Sequence, residues 1–549
     1  MPTDPFEESL PPDVGLNRRQ FVQGAAALAA GFALPALPGV ADARAGQGAE
    51  GAGRPSKRPN LVILITDQER FPRDWPEGWA DEHLPNRRRL ARHGLTFRRA
   101  FCSASMCSPS RASLFTGVYP PEHGVTEVLQ YGMDAIDQAT LQPSRKNMAN
   151  LLAEAGYDVQ YRGKWHISKD PTGTLAVQSP RDLRQYGFLG WLPPDAGTDQ
   201  QAQTFGGGDT DYDAQYAAQA AAFLKRADPR SSRPFALIVT LVNPHDLMGF
   251  PDTWDEPSYS DIPPYQGSDN YGKCAPECFA QGIALPETAH EPPFGNFKPT
   301  AQARSTIMWA AGIGTLPDPR KRLDYVNFYA YLHKRSDRRI GTVIDALESN
   351  PALRDKTIVI RTSDHGEMGL AHGGMREKGY NAYEETIHVP LVVSNPKLFP
   401  KPVQTDALAT LIDLMPTLAT LGQAPKRDRW TFRGRDLTPI IRDAIDHPGN
   451  PTATVQDAVL FTTDETIGAS VVGQPSHIRC LREAEWKYAL YFDPAHEAGS
   501  EYELYDLRED PLELHNMAAP EGPYYDPEKA AEMQAKLDAK MIETGAVPA

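Results

Sequence analysis

Beyond residue 58 the chain carries short apolar runs that each end abruptly in polar residues. Residues 61–65 run into Thr66-Asp67-Gln68, and residues 157–161 run into Gly163-Lys164-Trp165-His166. Residues 235–242 run into Asn243-Pro244-His245, and residues 357–360 run into Thr362-Ser363-Asp364-His365. Runs of this length without clear alternation, separated by helical stretches, predict parallel strands buried on both faces. Ile340, Val343, Ile344 and Leu347 fall at i, i+3, i+4 and i+7, the buried stripe of a helix between them. In such a sheet, functional groups gather beyond the carboxyl ends of the strands. One strand-end aspartate reads as a helix cap. Four polar ends of these types, converging on one edge, read as a site.

From about Arg429 the pattern changes. Residues 458–462, 477–482 and 485–492 predict short antiparallel strands, and 527–542 a closing helix. The chain therefore divides into a main α/β region, 59–428, and a smaller α+β subdomain, 429–549. Within the main region, residues 246–320 form a long Pro-rich insertion directly after His245, with ten acids and four bases. A loop of that length in a compact enzyme is usually functional, and its position predicts a substrate lid. Its acidity favours small neutral, aromatic or cationic partners over densely anionic polymers. Cys274 and Cys278 lie within it and could form a disulfide.

The first 45 residues have a different character. Arg18-Arg19 precede a weakly apolar Ala/Gly stretch, 24–40, broken by Pro35 and Pro38 and followed by Ala41-Asp42-Ala43-Arg44-Ala45. The stretch is too short and interrupted to span a bilayer. It resembles a twin-arginine export signal, with residues 46–58 as a polar tether. This implies a twin-arginine translocase as partner, a periplasmic or secreted location, and no membrane span in the mature chain.

Composition narrows the class. Among 549 residues, 40% are hydrophobic and 23% charged, which excludes a disordered polyelectrolyte and a multi-spanning membrane protein. A net charge of −15 repels polyanions and argues against nucleic acid as a partner. Five cysteines in this length cannot be a disulfide scaffold.

The sharpest chemical signal is Cys107-Ser108-Pro109-Ser110-Arg111-Ala112-Ser113-Leu114-Phe115-Thr116-Gly117. Locally it predicts a helix, with Pro109 in the first turn and Gly117 just past the last. Cys107 then sits at the positive end of the helix with Arg111 one turn on, a setting that favours an anion. The string resembles the sulfatase signature C-x-P-S-R-x-x-L-x-T-G at every fixed letter. The resemblance extends in order through Asp67-Gln68, Lys164 with His166, His245, Asp364-His365, Lys378 and Glu503-Leu504-Tyr505-Asp506-Leu507.

Resemblance to the type I, formylglycine-dependent sulfatases implies an alkaline-phosphatase-like three-layer sandwich with a mostly parallel central sheet. The smaller C-terminal α+β subdomain would carry an antiparallel sheet. It implies that Cys107 is the nucleophile precursor, oxidised to formylglycine by a separate formylglycine-generating enzyme. Asp67, Gln68, Asp364 and His365 would hold one divalent metal together with residue 107. Arg111 would stabilise the hydrated aldehyde and His166 would bond its second hydroxyl. Lys164 and Lys378 would grip the sulfate or assist the leaving oxygen, and His245 would be the general acid. The expected reaction is hydrolysis of a small-molecule or carbohydrate sulfate ester.

Many relatives carry Asp and Asn where this chain has Gln68 and His365. Oxygen-rich ligation favours calcium, and the imidazole brings manganese into play, with magnesium a further alternative. The same pairs resemble the branch that cleaves phosphonate monoesters and phosphodiesters, which stands as the alternative activity. A non-catalytic anion-binding homologue, with Cys107 unoxidised, is the remaining reading.

Overall fold

The computed structural model describes residues 58–129, 138–169, 180–198, 206, 211–250 and 276–548. The proposed export signal and nearly all of the tether lie outside these residues, as do positions 251–275 of the insertion, Cys274 included. Cys278 is disulfide-bonded. Among the described residues no helix is long and apolar enough to cross a membrane.

Seven strands build the main sheet. In chain order they are β1 (Asn60–Asp67), β2 (Gly94–Phe101), β3 (Asp158–Gly163), β4 (Phe235–Pro244), β5 (Thr357–Ser363), β6 (Leu391–Ser394) and β7 (Val403–Thr410). Their order across the sheet is β3-β4-β1-β5-β6-β2-β7. β3, β4, β1 and β5 are mutually parallel, β6 is antiparallel to both neighbours, and β2 and β7 are parallel.

The apolar runs explain the layering. Alternate side chains leave opposite faces of a strand. Leu61, Ile63 and Ile65 of β1 pack into one core with Ile358, Ile360, Ala236 and Ile238. Val62 and Leu64 pack into the other with Val359, Leu237 and Val239. On the first face lie α1 (Cys107–Thr116), α2 (Met148–Glu154) and, later in the chain, Leu414 to Leu418. On the second lie α3 (Tyr212–Arg226) and a long helix, Pro319–Glu348, whose stripe is Ile340, Val343, Ile344 and Leu347. Each such side chain removed from water is worth about 2 kcal/mol, so both faces must be covered.

The second sheet has the order β11-β10-β9-β8, all antiparallel, from β8 (Ala458–Thr463), β9 (His477–Glu483), β10 (Trp486–Phe492) and β11 (Glu501–Asp506). The closing helix, Pro527–Thr544, lays Met533, Leu537 and Met541 on Leu460, Leu481, Tyr488 and Leu504. The two sheets touch where the Thr462 N–H donates to the Ser103 carbonyl, 3.0 Å.

Candidate active site

The order of the sheet sets the site. β3, β4, β1 and β5 are consecutive neighbours, so Lys164, His245, Asp67 and Asp364 fan along one carboxyl edge. Glycine is required at the end of β3: Gly163 has φ +103°, and a Cβ there would lie 1.7 Å from the Thr240 carbonyl oxygen of β4. This close approach delivers Lys164 to the edge.

Cys107 opens α1, and Gly117 closes it with φ +73°. Ser110 Oγ donates to the Asp364 carbonyl at 2.5 Å, pinning the helix start to the end of β5. Cys107 Sγ then lies 3.5 Å from Asp67 Oδ1 and 3.2 Å from His365 Nε2. Ligand atoms of Asp67, Cys107, Asp364 and His365 all lie within 4.8 Å of one another, and all four residues are buried.

Two cations pair with this group. Arg111 places one guanidinium nitrogen 2.9 Å from Asp67 Oδ2 and its Nε 2.9 Å from Asp364 Oδ2. Lys164 Nζ lies 2.7 Å from Asp67 Oδ2. The Arg111 Nε and Lys164 contacts are ion pairs by distance but are not aligned as hydrogen bonds. Burial alone would raise the Asp67 carboxyl, but Lys164, His245 and Arg111 hold it well below the usual carboxylate range. Asp364 moves the other way, raised by burial and by the Asp67 charge. Burial and Asp67 push the Cys107 thiol up to about 12.

Lys378 is fully buried rather than solvated. Its Nζ donates to Gln68 Oε1 at 2.6 Å and pairs with Glu377 Oε2 at 2.8 Å. Burial opposes its charge, but Glu377 outweighs burial and raises its pKa. Gln68 has φ 66°, a left-handed conformation uncommon for a side-chain-bearing residue and one that concentrates at functional sites. Its Nε2 donates to Glu367 at 2.5 Å and to Glu377 at 3.2 Å. Gln68 Oε1 accepts one hydrogen bond, from Lys378, leaving a second lone pair.

His166, also left-handed with φ 56°, turns its Nε2 to the Leu129 carbonyl at 2.8 Å. Burial and then Lys164 push both His166 and His245 well below the ordinary imidazole value. His245 Nδ1 has no hydrogen-bond partner among the described residues. Trp165, next to the site, is a packing residue among Phe115, Tyr161 and Phe188.

Three buried acids were not legible as site residues. Glu367 accepts from Gln68, from Tyr325 Oη at 2.8 Å and from the Glu377 N–H at 3.0 Å. Glu377 faces Lys378 and Gln68. Asp195 accepts from the Trp165 and His166 N–H groups, at 2.6 and 2.8 Å, and so folds the loop that presents Lys164. Glu367 stands two residues after His365 and Glu377 directly before Lys378, which is the available signal. Asp195 has none. Glu367 and Glu377 thus add two acids beside Gln68 and Lys378.

The donor set fits a divalent cation. It offers two buried carboxylates and an imidazole around residue 107, and Asp364 Oδ2 has no aligned hydrogen bond. A second group, His372, Glu385 and Glu513, also brings its ligand atoms within 4.8 Å. It is already served by Arg73, Lys298 and Lys487.

Comparison with known proteins agrees with this geometry. The family profile described as Sulfatase matches residues 59–424, and that described as N-sulphoglucosamine sulphohydrolase, C-terminal, matches 374–546. The chain is 26% identical over 493 residues to a choline-sulfatase of Rhizobium meliloti, covering 85% of this chain and 84% of that one. It is 26% identical over 479 residues to arylsulfatase K of Gallus gallus, covering 85% and 80%. Among solved structures, a 2-O GAG sulfatase superposes with TM-score 0.63 at 21% identity, covering 89% and 93%. A phosphonate monoester hydrolase of Agrobacterium radiobacter superposes with TM-score 0.60 at 21% identity, covering 89% and 96%. The mostly parallel sheet with its separate antiparallel sheet is the alkaline-phosphatase-like arrangement of these neighbours. By the profile that spans most of its length, the chain belongs to the sulfatase family of sulfuric ester hydrolases.

Proposed function

We propose that this chain is an exported sulfatase that hydrolyses a sulfate monoester to an alcohol and inorganic sulfate, using formylglycine made from Cys107 and one divalent metal. The observation that carries the reading is the enclosure of residue 107 by Asp67, Asp364 and His365, with Arg111 and Lys164 paired to the same carboxylates. A thiol held near 12 is protonated at neutral pH and a poor nucleophile, and sulfation of sulfur would leave an ester with no easy exit. A hydrated aldehyde at position 107 removes both difficulties.

Asp67, Asp364 and His365, with the second lone pair of Gln68 Oε1, would hold the cation beside residue 107. Calcium is the first choice, with manganese or magnesium as alternatives. Bound there, the cation would acidify the attacking hydroxyl and neutralise a sulfate oxygen.

The residues of the chain do the rest. One hydroxyl of the hydrate passes its proton to the Asp364 carboxylate and attacks sulfur, the S–O bond to the alcohol breaks, and the alcohol oxygen leaves with the proton that His245 donates. Lys164 and Lys378 orient the sulfate oxygens. The second hydroxyl gives up its proton toward His166, the bond from residue 107 to the sulfate oxygen breaks, and the aldehyde is restored. Water rehydrates it. Burial and Lys164 keep His245 neutral in the free enzyme. An anionic ester placed beside it opposes Lys164 and favours the protonated acid.

Residues 1–45 would direct export by the twin-arginine route, after maturation by a formylglycine-generating enzyme. The acid-rich segment 246–320 favours small neutral, aromatic or cationic esters. Two measurements test the function. The mass of a peptide spanning residues 101–120 reports oxidation of Cys107; an unmodified thiol with no turnover supports an anion-binding protein instead. Paired nitrophenyl sulfate and phosphonate esters separate the rival hydrolase, because a large preference for the phosphonate overturns the sulfatase reading.

A further inference from the structure

Trp309 lies on α4 (Thr300–Ile313), which follows the described end of the long insertion. It is 7% exposed, and its indole N–H has no hydrogen-bond partner among the described residues. A buried donor without an acceptor costs free energy, and such groups are rare enough in folded proteins to need a reason.

Its neighbours suggest one. A Cβ built on Gly379 would lie 3.6 Å from Trp309 Cζ2, 3.8 Å from its Nε1 and 3.6 Å from Met106 Sδ. Gly379 directly follows Lys378, and Met106 directly precedes Cys107. The N–H therefore lies beside the backbone of Gly379, the residue after the sulfate-gripping lysine, and the residue before the nucleophile packs against the same glycine.

The helix that carries the ring is also firmly held. Glu501 of β11 accepts from the Thr300 N–H and hydroxyl, at 2.5 and 2.9 Å. Gln302 donates to Tyr491 Oη and Glu503, both at 2.9 Å, and accepts from Tyr383 Oη at 2.8 Å. Met308 packs under Gly468, where a Cβ would come within 2.1 Å of its sulfur. The C-terminal subdomain thus fixes α4 against the catalytic segment, so the indole has little freedom to turn toward another partner.

We propose that Trp309 Nε1–H is a specificity-determining donor for an oxygen on the alcohol portion of the substrate, next to the sulfated position. The substrate class is then a sulfate ester with a vicinal hydroxyl, ether or carbonyl oxygen. This rests on the sulfatase reading above.

The test compares 2-hydroxyphenyl sulfate with 2-methylphenyl sulfate, near-isosteres of which only the first offers an acceptor, with rates corrected for leaving-group acidity. The wild-type enzyme should favour the hydroxylated ester by about tenfold in kcat/KM, and Trp309→Phe should abolish that preference while leaving the 2-methyl ester within about twofold. Equal loss on both esters, or no loss on either, overturns the proposal. If Trp309→Phe does not fold, the wild-type preference decides: turnover of both esters without discrimination overturns the Trp309 assignment alone. Failure to turn over any sulfate ester overturns the sulfatase reading and this proposal with it.

Discussion

His365 Nε2 lies 3.2 Å from Cys107 Sγ, while Nδ1 of the same ring faces the Gly366 carbonyl at 3.0 Å. A carbonyl only accepts, so Nδ1 carries the proton and the Nε2 lone pair points at residue 107. Burial reinforces this by lowering the imidazole pKa. The ring is thereby presented in the tautomer that a metal-ligating histidine needs, oriented by its own backbone.

Removing the nucleophile should separate chemistry from folding. Cys107→Ala is expected to lower turnover by about 10⁴-fold or more, with a thermal midpoint close to wild type. Retained activity on any sulfate ester would remove Cys107 from the mechanism.

The proton donor should announce itself through leaving-group dependence. His245→Ala is expected to cost about 10²- to 10⁴-fold with alkyl sulfates and much less with nitrophenyl sulfate, whose leaving phenolate needs little protonation. Equal losses across a series of esters would assign the acid role elsewhere.

Chelation should inactivate the enzyme, with recovery on adding back a divalent ion. The ion restoring the highest rate identifies the physiological choice among calcium, manganese and magnesium. Activity that persists after complete metal removal, checked by elemental analysis, contradicts the ligand set.

Asp195 holds the Lys164 loop through two backbone N–H groups, so Asp195→Ala should lower kcat/KM by about 10- to 100-fold without touching the substrate. Steady-state kinetics beside a thermal melt checks this. An intact rate would mean that the loop is shaped by β3 alone.

His123 offers a test of pH linkage away from the site. Its Nδ1 accepts from the Val125 N–H at 3.1 Å, so its Nε2 carries the proton and faces Ser113 Oγ at 3.0 Å. Burial, with a smaller effect of Arg145, lowers its pKa to about 3. The unfolded chain therefore takes up a proton between about pH 6.5 and 3 that the folded chain refuses, and stability is lost as pH falls through that window. Each pH unit should cost about 1.4 kcal/mol relative to a neutral replacement. The stability difference between His123→Gln and wild type, measured by denaturant titration at pH 7 and pH 5, should shift in favour of the variant at pH 5. A pH-independent difference contradicts a neutral His123.

How much of this was readable from the chain depends on burial. β1, β3, β4 and β5 were visible because both faces are covered, which forces continuous apolar runs. β2 and β7 were not: Arg98 and Arg99 interrupt one, while Gln404 and Asp406 are exposed in the other, which lies at the sheet edge. β6 has only four residues, and β11 is written largely in Glu, Tyr and Asp. At the site, the ligand atoms of Asp67, Cys107, Asp364 and His365 lie within 4.8 Å of one another. Glu367, Glu377 and Asp195 escaped because a buried acid and a solvated one look alike until their partners are known.

Arg111 bridges two aspartates that arrive from different strands, and Lys164 shares one of them. Leaving two carboxylates uncompensated in a dry interior would be prohibitive. The guanidinium cancels that repulsion from within the polypeptide, so the centre can assemble before any ion joins it. Loading a cation there would then be an exchange of electrostatic partners inside a finished frame, and a protein built this way would lose and regain such an ion without coming apart.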